Sequence, residues 1–253
     1  MSLIVKKKDL GTISSVQEFM QAVWSHEPKE KTAIRMYRGQ ADNQWTLVPK
    51  LFRMEGRIAY LKSIESRIES VFLERCLYLM PSYPAKCYDK LSLYQHYGLP
   101  TRLLDWSSNP LMGLYFAVDS LEPPRPIVWV YDGTQRQHLY GVAHNQEKPL
   151  NHSEDIVIIK PVTHSYRVVA QAGWHTVHPF GTTQVALLRL ASVNVAPDKA
   201  GDIKKELRNM GIHAATVYGD LTSVCKELQD DLQIPLSARR DRVTPTLTVT
   251  SES

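Results

Sequence analysis

The sequence has few cysteines and no long apolar run, and each shortage excludes a class of protein. Its three cysteines, Cys76, Cys87 and Cys225, are odd in number and form no CxxC pair. The sequence therefore indicates neither a disulfide framework nor a cysteine-rich zinc site. No run of apolar residues is long enough for a membrane span, and no apolar segment follows the lysines of MSLIVKKKDL at the N-terminus. We expect a cytoplasmic protein that makes no contact with a membrane.

Several catalytic motifs are also missing. The sequence contains no GxSxG, GxxxxGK[ST], GxGxxG or HExxH, so serine hydrolase, P-loop, Rossmann and zinc protease sites lack their residues. His175 and His178, with His164 nearby, are poor candidates for metal ligands, because their spacing on a strand places the first two on opposite faces. We expect no metal.

Charge is nearly balanced. Thirty basic and twenty-six acidic residues give a formal net charge of +4, which permits an anionic ligand but does not by itself indicate nucleic acid. With 253 residues, of which 43% are hydrophobic, the chain can build one substantial core.

The hydrophobic pattern predicts the fold class. Helical periodicity predicts helices at 16–24, 57–80, 200–210 and 221–232. Short β-branched runs predict strands at 34–39, 101–106, 126–131, 155–160, 184–190 and 214–218. Because the elements do not alternate strictly, we expect an α+β single domain with a central mixed or antiparallel β-sheet flanked by helices. The predicted divisions are an N-terminal extension at 1–14, the domain at 15–235 and a disordered tail at 236–253, which is rich in Ser, Thr and Arg.

The segment QHYGLPTRLLDWSSNP, residues 95–110, concentrates polar groups between apolar ones. TRLLDW predicts a short strand, and Asn109-Pro110 predicts the start of an apolar helix. Asp105 and Ser107 would then lie at a strand-to-helix junction, where free N–H groups and the helix dipole favour a bound anion. The alternative is that the serines and Asn109 only cap the helix.

Three arginines, Arg38, Arg102 and Arg167, stand outside the solvated runs of charge. A guanidinium group presents a rigid fork of donors that suits phosphate oxygens, so three of them in one pocket would bind a dinucleotide or a nucleic-acid backbone. The alternative is a core ion pair, for instance of Arg102 or Arg38 with Asp105.

Four motifs resemble those of the FRG domain family, which takes its name from an F/Y-R-G motif. They are YRGQ (37–40), YQHYGLPTRLLDWSSNPLMGLYFA (94–117), RVVAQAGWHTVHP (167–179) and KKELRNMGIHAATVYGDL (204–221). The resemblance extends over about residues 15–232. Because this family is widespread in bacteria and phages and recurs in settings of conflict, the resemblance implies a defence protein or toxin.

The order of these motifs is also similar to the layout of ADP-ribosyltransferases, which implies a pocket for NAD. In that comparison Arg38 contacts the pyrophosphate, Ser107 holds a ribose, and Tyr115 stacks on the nicotinamide. Gln171 falls where those enzymes have a catalytic glutamate, but an amide supplies no negative charge. Asp105 is the best substitute for the carboxylate of that glutamate.

Two further acids, Glu154 and Asp155, are more distant alternatives for the missing carboxylate. His96 lies in the second motif and is a candidate general base or ligand contact, although a buried, hydrogen-bonded histidine is an equal alternative. The predicted catalytic residues are therefore Asp105, Gln171 and His96. The predicted ligand-binding residues are Arg38, Gln40, Thr101, Arg102, Ser107, Tyr115 and Arg167.

These residues predict a nucleotide or dinucleotide ligand, with NAD as the candidate cofactor and a protein or nucleic acid as a possible acceptor. Two other classes stay open. One is a non-catalytic module that senses a nucleotide or nucleic acid, and the other is a protein-interaction scaffold whose motifs only maintain the fold.

Overall fold

The structure is a computed structural model that describes residues 7–27, 34–54, 56–80, 82–120, 125–133, 156–161, 166–180 and 190–232. Within these ranges the chain forms one seven-stranded sheet with helices packed on it. The strands are β1 (Lys8–Ile13), β2 (Ile34–Gln40), β3 (Leu103–Ser107), β4 (Ile127–Gly133), β5 (Val157–Ile159), β6 (Gly173–Val177) and β7 (Leu190–Val195). The helices are α1 (Val16–Ser25), α2 (Ile58–Cys76), α3 (Cys87–His96), α4 (Pro110–Val118), α5 (Tyr166–Ala170), α6 (Ala200–Asn209), α7 (Ala214–Tyr218) and α8 (Leu221–Asp231).

The strand order is β1-β7-β4-β2-β3-β6-β5. β1 runs parallel to β7, and every other neighbouring pair is antiparallel. The interior strand β4 is buried at all its positions, as expected for a strand covered on both faces. The predicted α+β class, with a mixed central sheet flanked by helices, is confirmed.

Side chains alternate across the sheet and build separate parts of the core. On one face, Val128 and Val193 share a buried cluster with side chains of α1, α4 and α6. Farther along the same face, Leu103 and Val177 join a cluster with α2 and α3. Trp129 belongs to the cluster on the opposite face, with three other buried aromatic residues, Trp106, Tyr131 and Trp174.

Helix α4 lies directly against the backbone of β2. A Cβ atom on Gly39 would stand 2.1 Å from the carbonyl oxygen of Gly113 and 2.3 Å from the amide nitrogen of Ala117. A Cβ atom on Gly113 would in turn stand 2.7 Å from the Cβ of Tyr37. The glycine of the YRGQ motif is therefore required by close packing, since any side chain would push the helix off the strand.

β2 and β3 are in register at one residue pair, Tyr37 opposite Ser107. Next to this pair, the Nη1 atom of Arg38 donates a hydrogen bond of 2.8 Å to the carbonyl oxygen of Asp105. A side chain thus takes the place of a backbone donor, and the sheet opens between the two strands.

One predicted element has a different type in the structure. Residues 214–218, predicted as a strand from their β-branched composition, form helix α7. His213 and Thr216 cap its start reciprocally, and Gly219 ends it at a φ of +64°, so local capping overrides composition. The predicted helix 57–80 is confirmed as α2, followed by a 3₁₀ turn at Leu77–Leu79.

The sheet begins earlier in the chain than the predicted domain boundary. Residues 8–13, assigned from sequence to an N-terminal extension, form β1 and pair with β7 from Lys8 opposite Ala191 to Ile13 opposite Val195. The predicted tail at 236–253 and the predicted strand residues 184–189 lie outside the described residues. Among the helices in the described part of the chain, none has the length and hydropathy to span a membrane.

Candidate functional site

A cavity of about 750 Å³ opens where β2 and β3 separate. Its volume is typical of sites that hold a small organic ligand or cofactor. Its walls come from β2, the loop that follows β2, β3, and the ends of α4, α5 and α7. The lining residues that matter below are Arg38, Gln40, Trp45, Arg53, Asp105, Ser107, Phe116, Asp119, Arg167, Gln171 and Tyr218.

Three arginines line this cavity, and each is held in place by an uncharged group. Arg38 donates to the carbonyl of Asp105, and the Nε of Arg53 donates to the carbonyl of Val48 at 2.9 Å. The guanidinium of Arg167 lies 4.9 Å from the ring centre of Tyr218. Within the described residues none of the three has a carboxylate oxygen within the 4.0 Å of a salt bridge. The cavity therefore has positive charge available for an anionic ligand.

The surroundings of Arg38 disfavour the positive charge of its guanidinium group. Burial lowers its pKa, the carboxylate of Asp105 acts in the opposite direction, and the positive charge of Arg53 lowers the pKa further. Its Nε is buried and has no hydrogen-bond partner in the described structure. A bound anion would relieve both conditions.

The carboxylate of Asp105 faces the cavity, and 57% of the side chain is exposed although protein atoms surround it on several sides. Its Oδ1 accepts a hydrogen bond of 2.6 Å from Gln95 and lies 3.0 Å from the Nδ1 of His175, at an angle poor for a hydrogen bond. Burial raises the pKa of Asp105, but His175, the charge of Arg38 and the amide of Gln95 outweigh burial and lower the pKa to about 2. The group is charged at neutral pH.

Behind Asp105, the Nε2 of His175 lies 2.9 Å from the Oγ of Ser92. Serine, histidine and aspartate in contact are reminiscent of a hydrolase triad, but the exposure is reversed. Ser92 is buried and Asp105 is the group that faces the cavity. Because a nucleophile must reach its substrate, this arrangement positions Asp105 and does not activate Ser92.

The predicted site residues fall into two groups. Those that line the cavity are Arg38, Gln40, Asp105, Ser107, Arg167 and Gln171. In three of these residues the polar atoms form hydrogen bonds with other parts of the protein. The Oγ of Ser107 donates to the carbonyl of Gln171 at 2.6 Å, Gln171 donates to the carbonyl of Val217 at 3.3 Å, and Gln40 accepts from the indole of Trp129 at 2.6 Å.

The strand-to-helix junction proves to be capped by its own side chains. Asn109 accepts from the amide of Leu111 at 3.0 Å, and the Oγ of Ser107 accepts from the amide of Asn109 at 2.9 Å. Of the two readings left open by the sequence, capping is the one that the structure shows. The positive charge along the cavity therefore comes from its arginines and not from this helix start.

Four predicted residues do not line the cavity: His96, Thr101, Arg102 and Tyr115. The guanidinium of Arg102 is 1% exposed, and its Nε pairs with Glu65 at 3.1 Å. It forms the core ion pair that was the alternative, with Glu65 instead of Asp105. A ligand role does not suit Arg102 at this position.

The other three have local partners. Tyr115 is buried and donates to Asp119 at 3.1 Å, so it cannot stack on a ligand in the cavity. Thr101 donates to Gln95 Oε1, which directs the amide nitrogen of Gln95 toward Asp105. His96 contacts the ring edge of Tyr97, and burial followed by the charge of Arg167 lowers its pKa. The candidates Glu154 and Asp155 lie outside the described residues.

Sequence reasoning missed several residues of the site. Arg53 and Asp119 line the cavity but lie in none of the four motifs, and Tyr218, which also lines it, lies in the fourth motif without having been predicted as a site residue. His175 was weighed only as a metal ligand, whereas the register of β3 and β6 places it opposite Asp105. Only that register could have revealed the pair. Within the described ranges, no group of three or more His, Cys, Asp or Glu side chains is placed to hold a metal ion.

Comparison with known proteins gives one match. Residues 33–125 match the family model of the FRG domain. YRGQ and the long motif at 94–117 lie inside the matched region, whereas the motifs at 167–179 and 204–221 lie beyond it. No curated protein and no solved structure matches the chain.

Proposed function

The chain carries an FRG domain over residues 33–125, and from that premise we propose that its cavity binds a nucleotide or dinucleotide, NAD first among them, and acts on it as an ADP-ribosyltransferase-like enzyme. One observation carries the proposal. Arg38, Arg53 and Arg167 converge, without a carboxylate partner among the described residues, on a cavity in which Asp105 is held charged.

The phosphates are the part of the ligand for which the cavity is best equipped. Arg38 and Arg167 lie on different elements, β2 and α5, and both present guanidinium groups to the same space. Two guanidinium forks suit the oxygens of a pyrophosphate. Beside them, the rings of Phe116, Tyr218 and Trp45 offer stacking surfaces for a base or a nicotinamide.

The chemistry that fits Asp105 is stabilisation of positive charge. In transfer from NAD, the bond between ribose C1′ and the nicotinamide nitrogen breaks, and nicotinamide leaves with the bonding electron pair. The ribose becomes cationic, and the carboxylate of Asp105 stabilises that charge. Water or an acceptor then bonds to C1′ and releases its proton to solvent. With a pKa of about 2, Asp105 is a poor base, so its role is electrostatic.

The second candidate is a sensor that binds the nucleotide without turning it over. Gln171 favours this reading, because its amide is uncharged and is already bonded to the backbone of α7. A part in conflict between bacteria and phages stays a prediction that rests on the family resemblance.

Arg167 provides the cleanest test of binding, since Arg38 also bridges β2 and β3. We expect Arg167→Gln to weaken the binding of NAD or ADP-ribose about tenfold or more, because a charge-assisted contact with phosphate is lost. Isothermal titration calorimetry measures this. The matched control is Arg57→Gln, an exposed residue before α2 and outside the cavity. An equal loss of affinity in both variants would contradict the proposed phosphate site.

Asp105→Asn separates the enzyme from the sensor. We expect this variant to bind NAD nearly as well as the native protein but to release nicotinamide about 100-fold more slowly, because the amide lacks the stabilising charge. Chromatographic detection of nicotinamide measures the rate. Tight binding with no nicotinamide released by the native protein would establish the sensor instead.

A further inference from the structure

A smaller cavity of about 240 Å³ adjoins the main one. The two share Arg38, Arg53 and Asp105, and Lys50 lines only the smaller cavity. Gln95 and Gly98 form part of its wall. Asp105 thus stands between two spaces.

The three cations of the smaller cavity are all anchored by backbone carbonyl groups. The Nζ of Lys50 donates to the carbonyl of Gly98 at 2.7 Å, while Arg38 and Arg53 donate to the carbonyls of Asp105 and Val48. These bonds fix the side chains but leave their charges without a salt-bridge partner in the described residues. Among the residues that line this cavity in the described part of the chain, the carboxylate of Asp105 alone offsets them.

Comparable cations elsewhere in the structure have carboxylate partners. Arg35 pairs with Asp132 at 2.7 Å, and Arg125 pairs with Asp42 at 2.9 Å. Arg38 and Arg53 have no such partner among the described residues, and the charge of Arg53 acts against that of Arg38, so holding them together costs free energy through repulsion of like charges. A ligand with two negative charges would remove that repulsion.

We propose that the smaller cavity is a subsite for the phosphate group of a second nucleotide, placed next to Asp105. The inference rests on the proposed function in one respect: the second nucleotide would accept the ADP-ribosyl group whose C1′ loses nicotinamide in the main cavity. Two arginine forks and one lysine suit a phosphate, and the cavity is smaller than sites that enclose a whole ligand. The phosphate can belong to a free nucleotide or to the end of a nucleic-acid strand.

Lys50→Gln tests the subsite, because Lys50 does not line the main cavity. The probes are AMP, a 5′-phosphorylated thymidine dinucleotide and the same dinucleotide without the 5′-phosphate, each titrated with ADP-ribose at saturation. We expect the variant to bind the phosphorylated probes about tenfold more weakly than the native protein, with the affinity for ADP-ribose unchanged. Lys205→Gln, at a lysine 80% exposed on α6, is the control for a change of net charge.

The arms of the experiment distinguish the outcomes. Loss with AMP alone indicates a free nucleotide, loss with the phosphorylated dinucleotide alone indicates a strand end, and loss with both indicates a subsite that accepts the phosphate from either source. Native-like binding by Lys50→Gln, or equal loss in Lys205→Gln, overturns the subsite. If the native protein fails to bind ADP-ribose, the proposed function fails, and the Lys50 comparison without ADP-ribose still decides the subsite.

Discussion

Burial alone would raise the pKa of the Asp105 carboxylate, but His175, Arg38 and Gln95 together lower it to about 2. The pKa of Asp105 in the folded chain is thus below its value of 3.8 in the unfolded chain. The contacts of Asp105 therefore stabilise the fold, and their contribution is complete at pH values above the unfolded-state pKa. The contribution is lost as the pH falls toward 2. Because the side chain is 57% exposed, solvent screening limits the contribution to about 1 kcal/mol.

Asp105→Asn should therefore lower the free energy of unfolding by about 1 kcal/mol at neutral pH, and the difference should shrink below about pH 4. Urea denaturation at a series of pH values measures it. Asp202→Asn is a matched control, because Asp202 is equally exposed and its ion pairs in the described residues are with two surface lysines at 3.7 Å. A deficit of Asp105→Asn that stays constant down to pH 3 would contradict the assigned contacts.

At the scale of elements, the crossing of α4 over β2 depends on two glycines. A Cβ on Gly39 would meet backbone atoms of α4 at 2.1 and 2.3 Å, and backbone cannot move aside as a side chain can. We expect Gly39→Ala to lower the free energy of unfolding by about 3 kcal/mol or more. Thermal and chemical denaturation measure the loss.

Gly201→Ala is the control for that substitution. Gly201 lies in α6, and a Cβ there would meet no atom within 4 Å. In a helix, alanine is favoured over glycine, so we expect a change between zero and a gain of about 1 kcal/mol. If Gly39→Ala were tolerated as well as Gly201→Ala, the close crossing of α4 and β2 would be wrong.

At the scale of the whole molecule, buried histidines determine the sensitivity to acid. Burial, and then the charges of Arg38 and Arg102, lower the pKa of His178 to about 3. The pKa values of His26 and His96 are also lowered, with burial as the largest cause. Because the unfolded chain takes up protons near pH 6.5 and the folded chain does not, stability falls as the pH drops from 6.5 toward 3.

We expect the contribution of His178 to this loss to reach at most about 1.4 kcal/mol per pH unit. His178→Gln keeps a polar partner for Thr176, which lies 2.8 Å from the Nε2 of His178, but does not titrate. Urea denaturation between about pH 7 and pH 4 should give a flatter pH dependence for the variant than for the native protein. Parallel curves would show that His178 does not control the acid sensitivity.

Elements whose cause is local could be predicted from the amino-acid sequence. Asn109 and Pro110 begin α4 as predicted, because a cap and a fixed φ act within one turn. The strand around Met36 and the helix around Phe19 follow from patterns of burial that repeat within a few residues. The α+β class follows from the order of such elements.

Which polar groups share the cavity depends on contacts between distant parts of the chain and could not be predicted from local patterns. Asp105 and His175 meet through the register of β3 and β6, and Arg102 pairs with Glu65 of α2 instead of a ligand. Arg53 lines the cavity although it lies in none of the sequence motifs. Contacts between residues far apart in the chain depend on strand order and helix packing, which local periodicity does not encode. The site is therefore a property of the assembled sheet, because the opening between β2 and β3 exists only when both strands are in place.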